Sequence, residues 1–143
     1  MKKIQEQLVS FEIAKLAKEK GFKIWCPVIF WLKHSKEGKS EKTHIAFDED
    51  EDKWYEYNHN CGTDDEINES DFVFRPTQSL LQAWLREEHR IDVMPTMSRF
   101  SRTYGYKIFY IEDGKTEVID SQYIKQSFNS AFESGLEEAL KLI

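Results

Sequence analysis

The sequence predicts an α+β fold, three helices with a mostly antiparallel sheet in the order α-β-β(β)-α-β-β-β-α. Three observations carry that expectation. Three stretches place apolar residues at helical spacing behind a Ser or Thr, the runs between them are rich in aromatic and β-branched residues, and short turns join those runs. No Pro/Gly/Ser-rich linker interrupts the 143 residues, so one domain is expected. Within it, residues 1–75 form a helix, a β-hairpin and an acidic loop, and residues 76–143 form an α-β-β-β-α unit.

The first helix opens at Ser10, a good N-cap, and runs to Gly21, which suits the left-handed position past a helix end. Val9, Ile13, Leu16, Ala17 and Lys20 fall on one side of it. Residues 22–32 read as a strand with little alternation, so both faces need cover, the second from a partner. Pro27 argues for an edge position or a bulge there, because proline donates no ladder hydrogen bond. A polar turn around Gly38 leads to a second strand over 43–47, and Trp54-Tyr55-Glu56-Tyr57 continues it or makes a third. Residues 58–71 are polar and acidic with Gly62 and are expected as a long loop.

The second helix begins behind Pro76 with Thr77 as N-cap and ends near His89. Leu80, Leu81, Trp84 and Leu85 are expected on the buried face, with Gln78, Gln82, Arg86 and Glu87 opposite. Strands follow over 91–97, 104–111 and 115–120, the last two joined by a tight turn at Glu112-Asp113-Gly114. The third helix is capped by Ser127, and Phe128, Ala131, Phe132, Gly135, Leu136, Ala139 and Leu140 make a single apolar stripe. A helical glycine costs ~1 kcal/mol against alanine, so Gly135 predicts a close approach of this helix to the sheet.

Composition narrows the function classes. Twenty aromatic residues exclude a disordered tail, and two cysteines, Cys26 and Cys61, cannot staple a disulfide scaffold. The net charge of −6 is uneven: residues 1–44 carry +5, 45–74 carry −10, 75–107 carry +3 and 108–143 carry −4. The N-terminus lacks an apolar signal segment and the longest apolar run is nine residues, so no membrane association and a cytoplasmic location are expected.

No catalytic constellation stands out. The acidic run Asp48-Glu49-Asp50-Glu51-Asp52 lacks the glycine and glutamate of a calcium loop. Cys26, His34, His44, His59 and Cys61 offer one close pair and no second, so no metal is expected. No Gly-rich phosphate loop, GxSxG or HExxH appears, and no cofactor and no enzymatic activity are expected. Two groups are left as candidate contacts. Arg99, Arg102 and Lys107, with Arg86, Arg90 and Tyr104, mix cations and aromatics as a nucleic-acid or ligand surface does. Trp25, Phe30 and Trp31 concentrate aromatic area in one strand, the composition of a protein interface or a self-association surface.

Three blocks resemble small proteins of phages and prophages of gut Bacteroidetes. They are Val9-Ser10-Phe11-Glu12 with Ala14-Lys15 and Lys20-Gly21-Phe22, Pro76-Thr77-Gln78-Ser79-Leu80-Leu81-Gln82 with Trp84-Leu85-Arg86, and residues 131–143. That resemblance implies a mobile-element origin and a bacterial host cytoplasm, and it brings no activity with it. Residues 76–143 are also similar in topology to double-stranded-RNA-binding domains. The resemblance implies contacts from the first helix, the 98–103 loop with Arg99 and Arg102, and the start of the last helix. That helix opens with Lys125-Gln126-Ser127-Phe128 where the RNA-binding fold has several lysines. The sequence therefore favours a non-enzymatic protein that binds a protein partner over one that binds nucleic acid.

Overall fold

The structure, a computed structural model, describes residues 6–32, 40–42, 45–58 and 63–143. Its elements are, in chain order, α1 (Phe11–Glu19), β1 (Val28–Trp31), β2 (Ser40–Lys42), β3 (Ile45–Asp48), β4 (Lys53–Asn58), β5 (Thr63–Ile67), a 3-10 turn (Glu69–Asp71), β6 (Phe72–Phe74), α2 (Gln78–His89), β7 (Asp92–Met97), β8 (Tyr104–Glu112), β9 (Lys115–Asp120) and α3 (Phe128–Leu140). The fold is α+β, and the strands form three antiparallel sheets, β2-β1-β6, β3-β4-β5 and β7-β8-β9. The chain divides into two compact units, Met1–Phe22 with Pro76–Ile143, and Lys23–Arg75.

In the first unit the caps act as their chemistry dictates. Ser10, Thr77 and Ser127 each accept from the backbone N–H three residues on, and Gly21 follows α1 at φ +95°. The Asp113–Gly114 turn has both residues at positive φ, the geometry that continues the right-handed twist of a hairpin. α1 is tied to the start of α2 by Val9 N–H to Pro76 O at 3.0 Å and Gln78 N–H to Gln7 O at 2.8 Å. The core is Val9, Ile13, Ala17, Leu81, Leu85, Val93, Ile108, Leu136 and Leu140. Gly135 lies where a Cβ would meet Val93 Cγ1 at 2.6 Å and Tyr106 Cγ at 3.1 Å, so α3 rests on β7 and β8 through this position.

The buried stripe of α2 is rotated from the expected one. Gln78, Leu81, Gln82 and Leu85 are buried with Trp84, whereas Leu80 is only half-buried. The spacing 78, 81, 82, 85 is itself a helical stripe, and both glutamines are tolerated in it because their amides are hydrogen-bonded. Gln78 Nε2 donates to Glu133 Oε2 at 2.8 Å and to Asn129 O at 3.1 Å, while Glu133 Oε1 accepts from the Ser10 N–H. Gln82 Nε2 donates to Asp92 Oδ1, and its Oε1 accepts from the Val93 N–H at 3.2 Å.

The second unit departs further from expectation. Of residues 22–32 only Val28–Trp31 is strand, and it is the central strand between β2 and β6. Pro27 sits just before it, where its missing N–H interrupts no ladder. The expected loop over 58–71 contains β5, which pairs with β4 from Trp54↔Ile67 to Asn58↔Thr63, followed by the 3-10 turn. The Thr63-Asp64-Asp65-Glu66-Ile67 segment has little strand propensity of its own. Its place comes from β4 and from ties such as Lys53 Nζ to Glu66 Oε2 at 3.1 Å. Phe72 and Phe74, two apart on one face, meet Trp54 edge-on at 5.5 Å each, and Trp54 in turn lies 5.0 Å from Phe47.

Candidate functional site

The basic residues singled out from the sequence separate in space. Arg86 and Arg90 lie at the C-terminal end of α2, before β7, while Arg99 and Arg102 lie in the turn after it. Six strand residues intervene, about 20 Å of extended chain. Arg86 is held by Asp92 at 3.0 Å, and Lys107 in mid-strand by Asp120 at 3.5 Å. Arg90 takes the left-handed conformation at φ +56° that ends α2. Arg99 and Arg102 are exposed and have no ion pair among the described residues.

The turn that carries them is closed by hydrogen bonds. Ser98 N–H donates to Thr103 O at 2.8 Å, and Ser98 Oγ accepts from the N–H groups of Phe100 and Ser101. Arg102 sits at φ +54°, which turns the chain back toward β8. Thr103 Oγ1 then donates to Tyr123 O at 2.7 Å, and Thr96 Oγ1 donates to the Tyr123 hydroxyl at 3.2 Å. Tyr104 and Lys125 exchange two backbone bonds, at 2.8 and 3.0 Å, so the segment leading into α3 lies beside the first residue of β8. Gly105 permits that approach: a Cβ there would meet Ser121 Oγ at 2.9 Å and Gln122 O at 3.0 Å.

The construction gathers exposed apolar side chains at this end of the unit. Phe100, at the tip between Arg99 and Arg102, is 99% exposed. Met97, which pairs with Tyr104, is 57% exposed, Ile124 beside Lys125 is 66% exposed, and Phe128, opening α3, is 49% exposed. Sequence reasoning found the arginines but passed over Met97, Ile124 and Phe128. Phe128 falls on the apolar stripe of α3, and only its place one turn ahead of Ala131, the first buried residue, signalled that it would overhang the sheet.

The aromatic strand of the second unit is placed differently. Phe30 is core at 2% exposure, with the Arg75 guanidinium 4.8 Å over its ring, and Trp31 is half-buried and edge-on to Phe72. Trp25 is half exposed, its indole N–H donated to Ile45 O at 2.6 Å. A groove of about 720 Å³ runs past Phe47 and Trp54, and the paired Lys53 and Glu66 are among the residues that line it. Burial pushes the Cys26 thiol up from 9.0 to about 12, so it is neutral and a poor nucleophile. The Tyr55 hydroxyl is likewise pushed up to about 12, first by its hydrogen bond to Glu51. Among the described residues no three His, Cys, Asp or Glu converge as a metal site. His34, His44, His59 and Cys61 lie outside the described residues. No described helix is long and apolar enough to cross a membrane.

Comparison of the chain with protein-family models, with curated proteins and with solved structures gives no match.

Proposed function

We propose that the protein is a non-enzymatic binding module that takes a protein partner on the turn end of its first unit. The observation that carries this reading is the fully exposed Phe100 on a hydrogen-bonded turn, flanked by two arginines that have no ion pair among the described residues. Aromatic residues, methionine and arginine are enriched at interface centres, and a turn already held in shape loses little entropy on binding. The complementary surface is an apolar pocket rimmed by carboxylates, filled by Phe100 with Arg99 and Arg102 at its edge. An origin in a bacterial mobile element rests on the three helical blocks alone, and with it a bacterial cytoplasm as the setting.

Charge argues for protein over nucleic acid. The second unit has 13 acidic and 7 basic residues, the first has 13 of each, and the turn end offers only Arg99, Arg102 and Lys125. Nucleic-acid affinity grows with the number of phosphates neutralised, so three cations on a chain of net charge −6 make a weak anchor. The nucleic-acid reading is supported by the same turn lying beside the start of α3, as in double-stranded-RNA-binding domains. Affinity capture from bacterial extracts separates the two. A partner retained by the wild type and lost from both Phe100→Ala and the Arg99→Glu/Arg102→Glu double variant is the expected result. Identical capture by all three contradicts it, and retardation of duplex RNA at low salt that the double variant abolishes installs the alternative.

A further inference from the structure

The outer edge of β9 is independent of the turn end, and its geometry fits a second copy of itself. β9 is the terminal strand of β7-β8-β9, and among the described residues it ladders with β8 alone. Five of its six residues are exposed and Ile119 is half-buried. An edge of this kind is a template for strand addition.

The register along that edge is tightly restricted. Ser121 N–H donates to Tyr106 O at 2.9 Å, and the two-residue turn closes on the Glu112–Lys115 pair. In an antiparallel ladder bonded and unbonded pairs alternate, so Lys115, Glu117 and Ile119 direct their peptide groups to β8. Thr116, Val118 and Asp120 direct theirs away from it. Two copies related by a two-fold axis must set like faces side by side, so the register centres on one residue, either in a bonded pair at Thr116, Val118 or Asp120 or in an unbonded pair at Glu117 or Ile119. Centring on Asp120 or Glu117 opposes two carboxylates, and centring on Thr116 or Ile119 leaves much of β9 beyond the overlap.

Centring on Val118 engages every outward peptide group. Val118 meets Val118 of the second copy, Thr116 meets Asp120 as hydroxyl to carboxylate, and Glu117 meets Ile119, with no like charges directly opposite. Val118 is 50% exposed before pairing.

We infer that the protein forms a two-fold dimer by antiparallel pairing of β9 about Val118, continuing β7-β8-β9 into a six-stranded sheet. Both helical layers then lie on one side of that sheet. The two Phe100 tips point to opposite ends, because β9 of each copy runs against the other. A dimer so built presents its contact ends twice, which raises avidity for a repeated or symmetric partner.

Mild oxidation of the full-length Val118→Cys variant tests the register, with the wild type treated in parallel to set the background from Cys26 and Cys61. Facing residues in a bonded pair have Cα atoms about 5.5 Å apart, within the range a disulfide spans, whereas the two copies of Thr116 stand about 14 Å apart. The expected result is a covalent dimer from Val118→Cys, none above background from Thr116→Cys, and a heterodimer when Thr116→Cys is mixed with Asp120→Cys. Light scattering on the unmodified protein gives twice 17.0 kDa at high concentration. The Val118→Pro variant, which loses only an outward N–H, gives the single mass at every concentration and melts at the temperature of the dilute, monomeric wild type. A wild type monomeric at every concentration, or cross-linking equal at positions 116 and 118, overturns the proposal.

Discussion

Gly135 shows how one residue joins two elements. Alanine is the better helix former by ~1 kcal/mol, yet its Cβ would press on Val93 and on the Tyr106 ring, which β-strand neighbours hold in place. Overpacking of this kind costs ~1–3 kcal/mol. Gly135→Ala is therefore expected to lower the urea midpoint despite the gain in propensity, and a raised midpoint would show that α3 can lift from the sheet. Cys26 sets a pH dependence. Its folded-state thiol is raised from 9.0 to about 12, so the folded chain holds a proton that the unfolded chain gives up. That contribution to stability is complete below pH 9 and is lost as pH rises toward about 12. Denaturant midpoints across this window are expected to fall less steeply for Cys26→Ala than for the wild type, and thiol reagents are expected to reach Cys26 only on unfolding.

The elements differ in how plainly the sequence announces them. Ser10, Thr77 and Ser127 mark three helix starts, and Asp113–Gly114 marks a hairpin, because caps and turns are local chemistry. β5 is not announced, since Asp64, Asp65 and Glu66 become a strand only through pairing with β4. Gln78 and Gln82 look like surface residues for a related reason. Their partners are Glu133, Asn129, Asp92 and Val93, none on α2 itself, so a helical wheel shows the polarity without its satisfaction. The joint between α2 and β7 rests on Gln82. Gln82→Ala strands the buried Val93 N–H and removes a donor from Asp92, at a cost of ~1–3 kcal/mol. A matching loss in thermal or chemical unfolding checks this, and a neutral outcome means that water replaces the amide.

At the scale of the molecule, charge and exposed apolar surface are divided between the units. The acidic excess belongs to Lys23–Arg75, while the balanced unit carries the Phe100 tip. The tip's arginines were legible as a cationic turn between two strands. Its apolar companions were not, because Met97, Ile124 and Phe128 are residues that a pattern assigns to the core, and only the folded arrangement leaves them outside. Hydrogen–deuterium exchange with and without the captured partner tests the proposed surface most directly. The account predicts protection over residues 97–104 and 121–128, with residues 23–75 unchanged. Protection confined to residues 23–75 would contradict it.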